Sequence, residues 1–196
     1  MKIDFLKDYF LENEVVLLRP VSINDFNYFL PFSINEPELW KYSLTPGNGE
    51  ENLKKYFELA LLARESKTAY TFVVFDKRTN EYAGMTRFYD IQIGHNTTQL
   101  GYTWFGEKFQ GTGLNKNCKY LMLQFAFENF EVERIEFRAD NNNQRSIAAM
   151  KSLGCKEEGV LRSNCDSPAG RRDSIVLSIL KHEWFDTIQK RLLSSI

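Results

Sequence analysis

A glycine-rich turn at residues 105–115 combines residue types that can bind phosphate. The segment reads Phe105-Gly-Glu-Lys-Phe-Gln-Gly-Thr-Gly-Leu-Asn115 and lies between a predicted strand and a predicted helix. Glycines let the backbone approach an anion closely, and the free amides and dipole of a helix N-terminus attract phosphate oxygens. Glycines also suit a strand-to-helix turn that binds nothing, so the spacing must discriminate between the two interpretations.

Two common phosphate-binding patterns do not fit this turn. Gly106 and Gly111 have the spacing of a Walker loop, but Thr112 and Gly113 follow where that loop needs Lys and Ser or Thr. The dinucleotide fingerprint needs a third glycine where the chain has Lys116. It also needs a parallel βαβ unit, which the predicted upstream hairpins do not supply. A nucleoside triphosphatase loop and a Rossmann fold are therefore disfavoured.

A third pattern fits, and other segments support it. Gln110-x-x-Gly113-x-Asn115 resembles the Arg/Gln-x-x-Gly-x-Gly/Ala signature of the GCN5-related N-acetyltransferases (GNAT), apart from Asn115. Asn143-Gln-Arg-Ser146 and the helix end at Lys151 to Gly154 are similar to that family's second motif. Its RimJ/RimL-like branch is matched by Leu18-Arg19-Pro20 with Asp25, by Gly84-x-Thr86, by Glu157 to Arg162 and by Arg172 to Ser178. The resemblance covers about residues 13–185.

This resemblance implies a fold and an activity. The fold class would be α/β (α+β), with one N-acetyltransferase domain over residues 1–196. Helices would flank a mixed, mostly antiparallel sheet whose middle strands, 101–105 and 135–139, splay apart. The implied reaction is direct transfer of an acetyl group from acetyl-CoA to a primary amine of a small molecule or a protein N-terminus. A non-catalytic acyl-CoA-binding or interaction module on the same fold is the alternative.

The resemblance also implies roles for residues of this chain. Amides from Gln110 to Asn115 would hold the coenzyme pyrophosphate, and the strand around Trp104 would lie against the pantetheine. Many members of the family protonate the leaving thiolate with a Tyr in this part of the chain, but no Tyr lies between residues 121 and 196. Ser146, the serine of the second motif, would therefore act as the acid. The residues expected to bind acetyl-CoA are Trp104, Phe105, Gln110, Gly111, Thr112, Gly113, Leu114, Asn115, Asn143 and Ser146. The residues expected to contact the acceptor are Trp40, Tyr42 and Tyr89.

Simpler interpretations stay open for several of these residues. Ser146 could be an ordinary helical serine, and Asn143 could be a helix N-cap. Strand alternation directs one of Phe88 and Tyr89 into the core. No general base is assigned among the carboxylates of suitable type, which are Asp90, Glu136, Asp140, Glu158, Asp166 and Asp173.

Hydrophobic periodicity predicts the elements that position these residues. Strands are expected at 15–19, 70–75, 82–90, 99–105, 134–139 and 174–180, with another beginning near Val160. Helices are expected at 24–32, 50–65, 114–130, 146–153 and 182–193, and loops at 45–49, 94–98 and 163–170. Short connections predict antiparallel strands in the first half, and the strand–helix–strand order after residue 99 predicts a crossover.

Composition narrows the classes of partner and location. The chain has 196 residues with 25 Lys+Arg, 26 Asp+Glu and a net charge of −1, which provides no positive field for nucleic acid. It shows no apolar stretch of membrane-spanning or signal-peptide length. Three cysteines without a Cys-x-x-Cys pair and two distant histidines predict no metal site and a cytoplasmic location. Edge strands or the loop at 163–171 could mediate a homodimer.

Overall fold

A computed structural model describes residues 1–168 and 170–196. Its strands are β1 (Leu11–Glu12), β2 (Val16–Pro20), β3 (Ala69–Asp76), β4 (Glu81–Gln92), β5 (Thr97–Phe105), β6 (Arg134–Asp140), β7 (Lys156–Ser167) and β8 (Gly170–Leu180). They form an eight-stranded sheet in the order β1-β2-β3-β4-β5-β6-β8-β7.

Helices cover both faces of this sheet. They are α1 (Phe26–Asn35), α2 (Glu50–Glu65), α3 (Leu114–Gln124), α4 (Gln144–Leu153), α5 (Lys181–Glu183) and α6 (Gln189–Leu193). Short 3-10 turns occupy Ile23–Asp25, Pro37–Trp40, Ile93–His95 and Glu107–Phe109. A π-helical turn at Phe125–Asn129 extends α3, and another at Trp184–Ile188 joins α5 to α6.

The middle of the sheet opens into a wedge between β5 and β6. Neighbouring strands are antiparallel except this pair, which is parallel because α3 crosses over between them. The pair is hydrogen-bonded only between residues 97–99 and residues 134–136. Beyond them, residues 100–105 and 137–140 have no ladder pairing with each other among the described residues. The predicted fold, including its crossover and splayed middle strands, is confirmed.

Strand alternation builds a separate core on each face of the sheet. Val73 and Met85 pack with residues of α1 and α2, including Phe29 and Phe57. Their strand neighbours point to the other face, where Phe88 and residues of α3 and the C-terminal helices form the larger core. The wedge therefore lies between an α1/α2 face and an α3 face.

The connection between β7 and β8 differs from the predicted loop at 163–170. β7 continues to Ser167, and the pairing is irregular near Ser163, whose φ is +49°. The Ser163 amide donates to Asp173 Oδ1 at 2.7 Å, and the Arg171 guanidinium donates to the Ser163 hydroxyl at 3.0 Å. This part of the hairpin is largely exposed and polar, so the apolar alternation that marks a strand is absent. Ala169, within the predicted loop, lies outside the described residues.

Two predicted helices contain a change of helical geometry. The helix predicted over 114–130 is α-helical to Gln124 and then forms a π turn, in which the Phe130 amide donates to the Phe125 carbonyl at 3.1 Å. The helix predicted over 182–193 likewise contains a π turn. Apolar spacing does not distinguish α from π turns, because both can keep the aromatic side chains buried. The other predicted elements are present, with ends shifted by a few residues.

Candidate active site

The glycine turn after β5 presents open backbone at the start of α3. Gly111 and Gly113 have φ angles of +75° and +83°, left-handed conformations that favour glycine. A Cβ on either glycine would have no atom within 4 Å, so the space beside both is open. Gly113 is the N-cap of α3, and the first amides of a helix have no partner within the helix. A turn of this geometry can hold an anion.

Side-chain hydrogen bonds fix the shape of this turn. The Gln110 amide donates to the Phe105 carbonyl at 2.7 Å, and the Thr112 hydroxyl donates to the Phe109 carbonyl at 2.8 Å. Arg78, from the β3–β4 connection, donates to the Thr112 carbonyl at 3.0 Å. The buried carboxylate of Asp76 holds that guanidinium at 2.7 Å. The turn is therefore tied to both β5 and the neighbouring hairpin.

The second sequence motif lies beside the first in the structure. Asn143 is the N-cap of α4, and its Oδ1 accepts from the Ser146 amide at 3.1 Å, so the N-cap interpretation is correct. Arg145, in the same helical turn, donates to Gln110 Oε1 at 2.6 Å. Ser146 is half-buried, and its hydroxyl makes no hydrogen bond with any described residue. The starts of α3 and α4 thus meet at Gln110.

Three residues predicted to bind the coenzyme have buried side-chain atoms. Phe105 and Leu114 are buried in the core, so only their backbones are available to a ligand. The Phe105 carbonyl already accepts from Gln110. Asn115 is half-buried, and its Oδ1 is buried with no hydrogen-bond partner among the described residues.

A β-bulge shapes the β5 edge of the wedge. Thr86 of β4 lies opposite both Tyr102 and Thr103 of β5, and Tyr102 has a φ of +50°. The Thr86 and Thr103 hydroxyls are 2.9 Å apart. Lys119 of α3 donates to Thr103 at 2.6 Å and to Thr86 at 3.1 Å. The bulge is therefore held from the α3 face by a lysine that the sequence analysis did not single out.

Lys119 is a buried cation whose described partners are neutral. It is 5% exposed, and burial lowers its pKa to about 8 because desolvation disfavours the charged ammonium. The neighbouring Cys118 thiol is buried in the apolar core, which raises its pKa to about 11. Such a thiol is unreactive at neutral pH.

The loop after α1 bridges the wedge on the α1/α2 face. Trp40 packs on Trp104 of β5 with ring centroids 4.9 Å apart. Two residues after Trp40, the backbone carbonyl of Tyr42 accepts a hydrogen bond from the Arg172 guanidinium of β8 at 3.2 Å. Because β6 lies between β5 and β8 in the sheet, these contacts carry the loop across the wedge.

Tyr89 lies where β5 and β6 begin to separate. Phe88 is fully buried in the larger core, so alternation places Tyr89 on the α1/α2 face. Its ring packs against Gly101, and its centroid is 5.0 Å from that of Tyr102. Burial raises the pKa of Tyr89 well above its usual value, so the phenol stays protonated at neutral pH.

The carboxylates considered as bases all have polar partners. Arg134 and Arg138 bind Glu136, Arg134 also binds Glu158, and Arg171 binds Asp166. Asp140 accepts from the Asn142 backbone amide, and Asp173 accepts from the Ser163 backbone amide. Asp90 accepts from the side-chain amides of Gln92 and Gln99. These contacts do not single out any of the six carboxylates as a general base.

Other features do not add to this site. Over residues 1–168 and 170–196, no cluster of His, Cys, Asp and Glu has the size to hold a metal ion, and no helix is long and apolar enough to cross a membrane. A cavity of about 490 Å³ lined by Glu133, Leu180, Lys181, His182 and Phe185 lies at the opposite end of β6 and β8 from the open wedge.

Comparison with known proteins identifies the family. The acetyltransferase (GNAT) domain model matches residues 16–156, and the chain belongs to this family. The uncharacterized N-acetyltransferase p20 of Bacillus licheniformis is 24% identical over 175 residues, covering 89% of this chain and 97% of that protein. The ribosomal protein uS5-alanine N-acetyltransferase of Escherichia coli (strain K12) is 25% identical over 118 residues, 60% of each chain.

The solved structures agree on the fold. Mycobacterium smegmatis RimJ in complex with CoA-disulfide has a TM-score of 0.81, covering 96% of this chain and 93% of that chain, at 18% identity. The family model and the N-acetyltransferase relatives identify the chain as an N-acetyltransferase, with ribosomal-protein N-acetyltransferases of the RimJ/RimL type among its relatives.

Proposed function

We propose that this N-acetyltransferase binds acetyl-CoA along β5 and transfers the acetyl group directly to a primary amine of a small molecule or a protein N-terminus. One observation carries the proposal: the open glycine turn follows directly from the strand that lines the wedge. A ligand with a pyrophosphate in the middle and a thioester at one end can extend from the turn into the wedge. GNAT enzymes use acetyl-CoA, which supplies the activated acetyl group.

The turn fits the pyrophosphate of this co-substrate. The space beside Gly111 and Gly113 is open, and the dipole of α3 favours negative charge there. Arg145 adds a cation at the same place, and it forms no ion pair with a carboxylate among the described residues.

The free edge of β5 fits the pantetheine. Residues 101–105 have no ladder partner on the β6 side among the described residues. An extended ligand with amide groups can hydrogen-bond to such an edge as an added strand does. Trp104 and the bulge at Tyr102 would then border the thioester.

Ser146 is the group we assign to the leaving thiolate. When the amine forms its bond to the acetyl carbon, the carbon–sulfur bond breaks, and the thiolate needs a proton or a hydrogen bond. The Ser146 hydroxyl is half-buried, has no other described partner and lies one residue from Arg145 at the turn. Trp40, Tyr42 and Tyr89 would line the acceptor side, on the α1/α2 face of the wedge. The proton of the amine would leave through water, since no base is marked.

A calorimetric titration with acetyl-CoA tests the binding half of this proposal. Gly113→Ala forces a side chain into the turn and strains a φ of +83°, so we expect at least a tenfold loss of affinity. Gly49→Ala is the matched control: Gly49 also has a left-handed φ of +80°, open space for a Cβ and an N-cap position, before α2. Equal affinity in the two variants would contradict this placement of the coenzyme.

Release of free thiol from acetyl-CoA tests the transfer half. The panel should contain free amino acids, amines and peptides with free N-termini, and each acetylated product should be identified by mass spectrometry. We expect one acetylated amine for each thiol released. Tight acetyl-CoA binding without transfer to any member of the panel would favour the non-catalytic module.

A further inference from the structure

Arg87 is a buried cation with unpaired donors. It is 6% exposed, and its Nε and Nη2 atoms have no hydrogen-bond partner among the residues that the structure describes. Two other arginines with little exposure have partners for their guanidinium groups. Arg19 donates to the carboxylate of Asp25, and Arg172 donates to Ser174 and the Tyr42 carbonyl and pairs with Asp140. Buried charges are normally paired because an unpaired ion loses its hydration without compensation. Arg87 has no anionic partner in the described part of the chain.

Its position is beside the opening of the wedge. Arg87 of β4 pairs with Gly101 of β5, just beyond the last residues that join β5 to β6. Its Cζ lies 4.3 Å from the ring centroid of Tyr102 and 5.4 Å from that of Tyr56. Alternation along β4 places it on the same face as Tyr89, which is the α1/α2 face. This is the face on which the acceptor is expected.

A further unpaired donor lies on the same face. The indole N–H of Trp40 is buried without a partner in the described part of the chain, and its ring packs on Trp104, whose indole N–H lies beside the Tyr56 hydroxyl. Two oxygens on this face are also unpartnered: Thr71 Oγ1, on the residue of β3 directly opposite Arg87, and Gln99 Oε1, although the Gln99 amide donates to Asp90. Donors thus outnumber acceptors around this part of the wedge, which favours a ligand group that accepts hydrogen bonds.

We infer that Arg87 binds a carboxylate of the acceptor, so that the acceptor carries a carboxylate within a few atoms of its amine, as an amino acid does. The inference rests on the proposed function and specifies its acceptor. Nε and Nη2 form one edge of the guanidinium, and that edge matches the two oxygens of a carboxylate in parallel hydrogen bonds. A polyamine would instead place a second cation against Arg87, which is unfavourable.

Two matched ligands test this inference without knowledge of the natural acceptor. The first is CoA whose sulfur carries CH2–CO–NH–CH2–COO⁻, and the second ends in a carboxamide instead of the carboxylate. A second pair uses β-alanine in place of glycine, which moves the terminal group outward by one carbon. Calorimetric titrations would measure all four ligands with the wild type, Arg87→Lys and Arg87→Met.

We expect the carboxylate form of at least one pair to bind the wild type tenfold or more tightly than its carboxamide. Arg87→Met should remove that preference without changing affinity for CoA itself, and Arg87→Lys should keep part of it. Equal affinity of carboxylate and carboxamide in both pairs would overturn the inference, as would a preference that persists in Arg87→Met. If Arg87→Met fails to fold, the wild-type comparison decides alone. Absence of CoA binding by the wild type would instead reject the proposed function.

Discussion

Ser146 and Tyr89 supply two hydroxyl groups with different surroundings near the wedge. Ser146 lies in the first turn of α4, beside the glycine turn that we assign to the pyrophosphate. Tyr89 packs against Gly101, and burial keeps its pKa high. A serine hydroxyl next to a leaving thiolate can donate a hydrogen bond without itself carrying charge in the resting protein. At the residue scale, the assignment of Ser146 therefore depends on its position beside the glycine turn and on a hydroxyl with no described partner, rather than on a shifted pKa.

Replacement of Ser146 by alanine should separate catalysis from binding. We expect kcat to fall by about 100-fold, a typical loss for a positioned acid, while the Kd for acetyl-CoA stays unchanged. Steady-state kinetics and calorimetry on the same preparation measure both quantities. Ser152→Ala is the matched control, because Ser152 is an exposed serine of the same helix that bonds only to the Ala149 carbonyl. An unchanged kcat in Ser146→Ala would remove the acid assignment but leave the enzyme class intact.

Helix α3 connects the proposed coenzyme site to the wedge. Its N-terminus forms part of the glycine turn, and Lys119, on its buried side, bonds to Thr86 and Thr103 at the bulge. The helix is therefore attached to β5 at two points, the glycine turn and the bulge beside the proposed thioester position. The charge of Lys119 has an energetic cost, since burial lowers its pKa to about 8 from 10.5.

This cost predicts a pH dependence of stability. Between about pH 8 and pH 10.5 the unfolded chain binds the Lys119 proton more strongly than the folded chain does, so the free energy of unfolding from this residue rises with pH. Lys119→Met removes that contribution and leaves the two threonine hydroxyls bonded to each other. The stability of the variant relative to wild type should thus be highest near pH 7 and decline by on the order of 1–3 kcal/mol toward pH 10.

Urea unfolding at several pH values measures this difference. Subtracting the wild-type curve cancels the titration of groups that do not interact with Lys119. Lys116→Met, a change at a less buried lysine of the same helix, should give a difference that is flat with pH. A flat difference for Lys119→Met as well would show that Lys119 is not a desolvated cation.

Local periodicity predicts most elements, and tertiary context decides the rest. The helix over 50–65 is found with the same bounds, because its apolar positions repeat at helical spacing and pack on one face. The polar end of the β7–β8 hairpin shows no such pattern, so its strands were expected to be a loop. The π turns depend on how the aromatic residues of 125–130 fit the core, which sequence spacing does not specify.

Across the whole molecule, the sequence motifs specify the proposed coenzyme side of the site in more detail than the proposed acceptor side. The glycine turn and the Asn143 motif are local, and the structure brings them together through Gln110 and Arg145. Arg145 lies inside that motif and was not singled out, because an exposed arginine leaves no periodic signal. Arg87 and Lys119 stand out only because each is a buried cation without a described carboxylate partner, a property that depends on elements far apart in the chain.

The central claim is that acetyl-CoA extends from the glycine turn into the wedge between β5 and β6. Amide hydrogen exchange, followed by mass spectrometry with and without acetyl-CoA, tests it across the whole chain. We expect slower exchange at residues 101–105, 110–116 and 143–147, with no such slowing in Gly113→Ala at the same acetyl-CoA concentration. Unchanged exchange in these segments of the wild type, or slowing confined to the cavity around His182, would contradict the account.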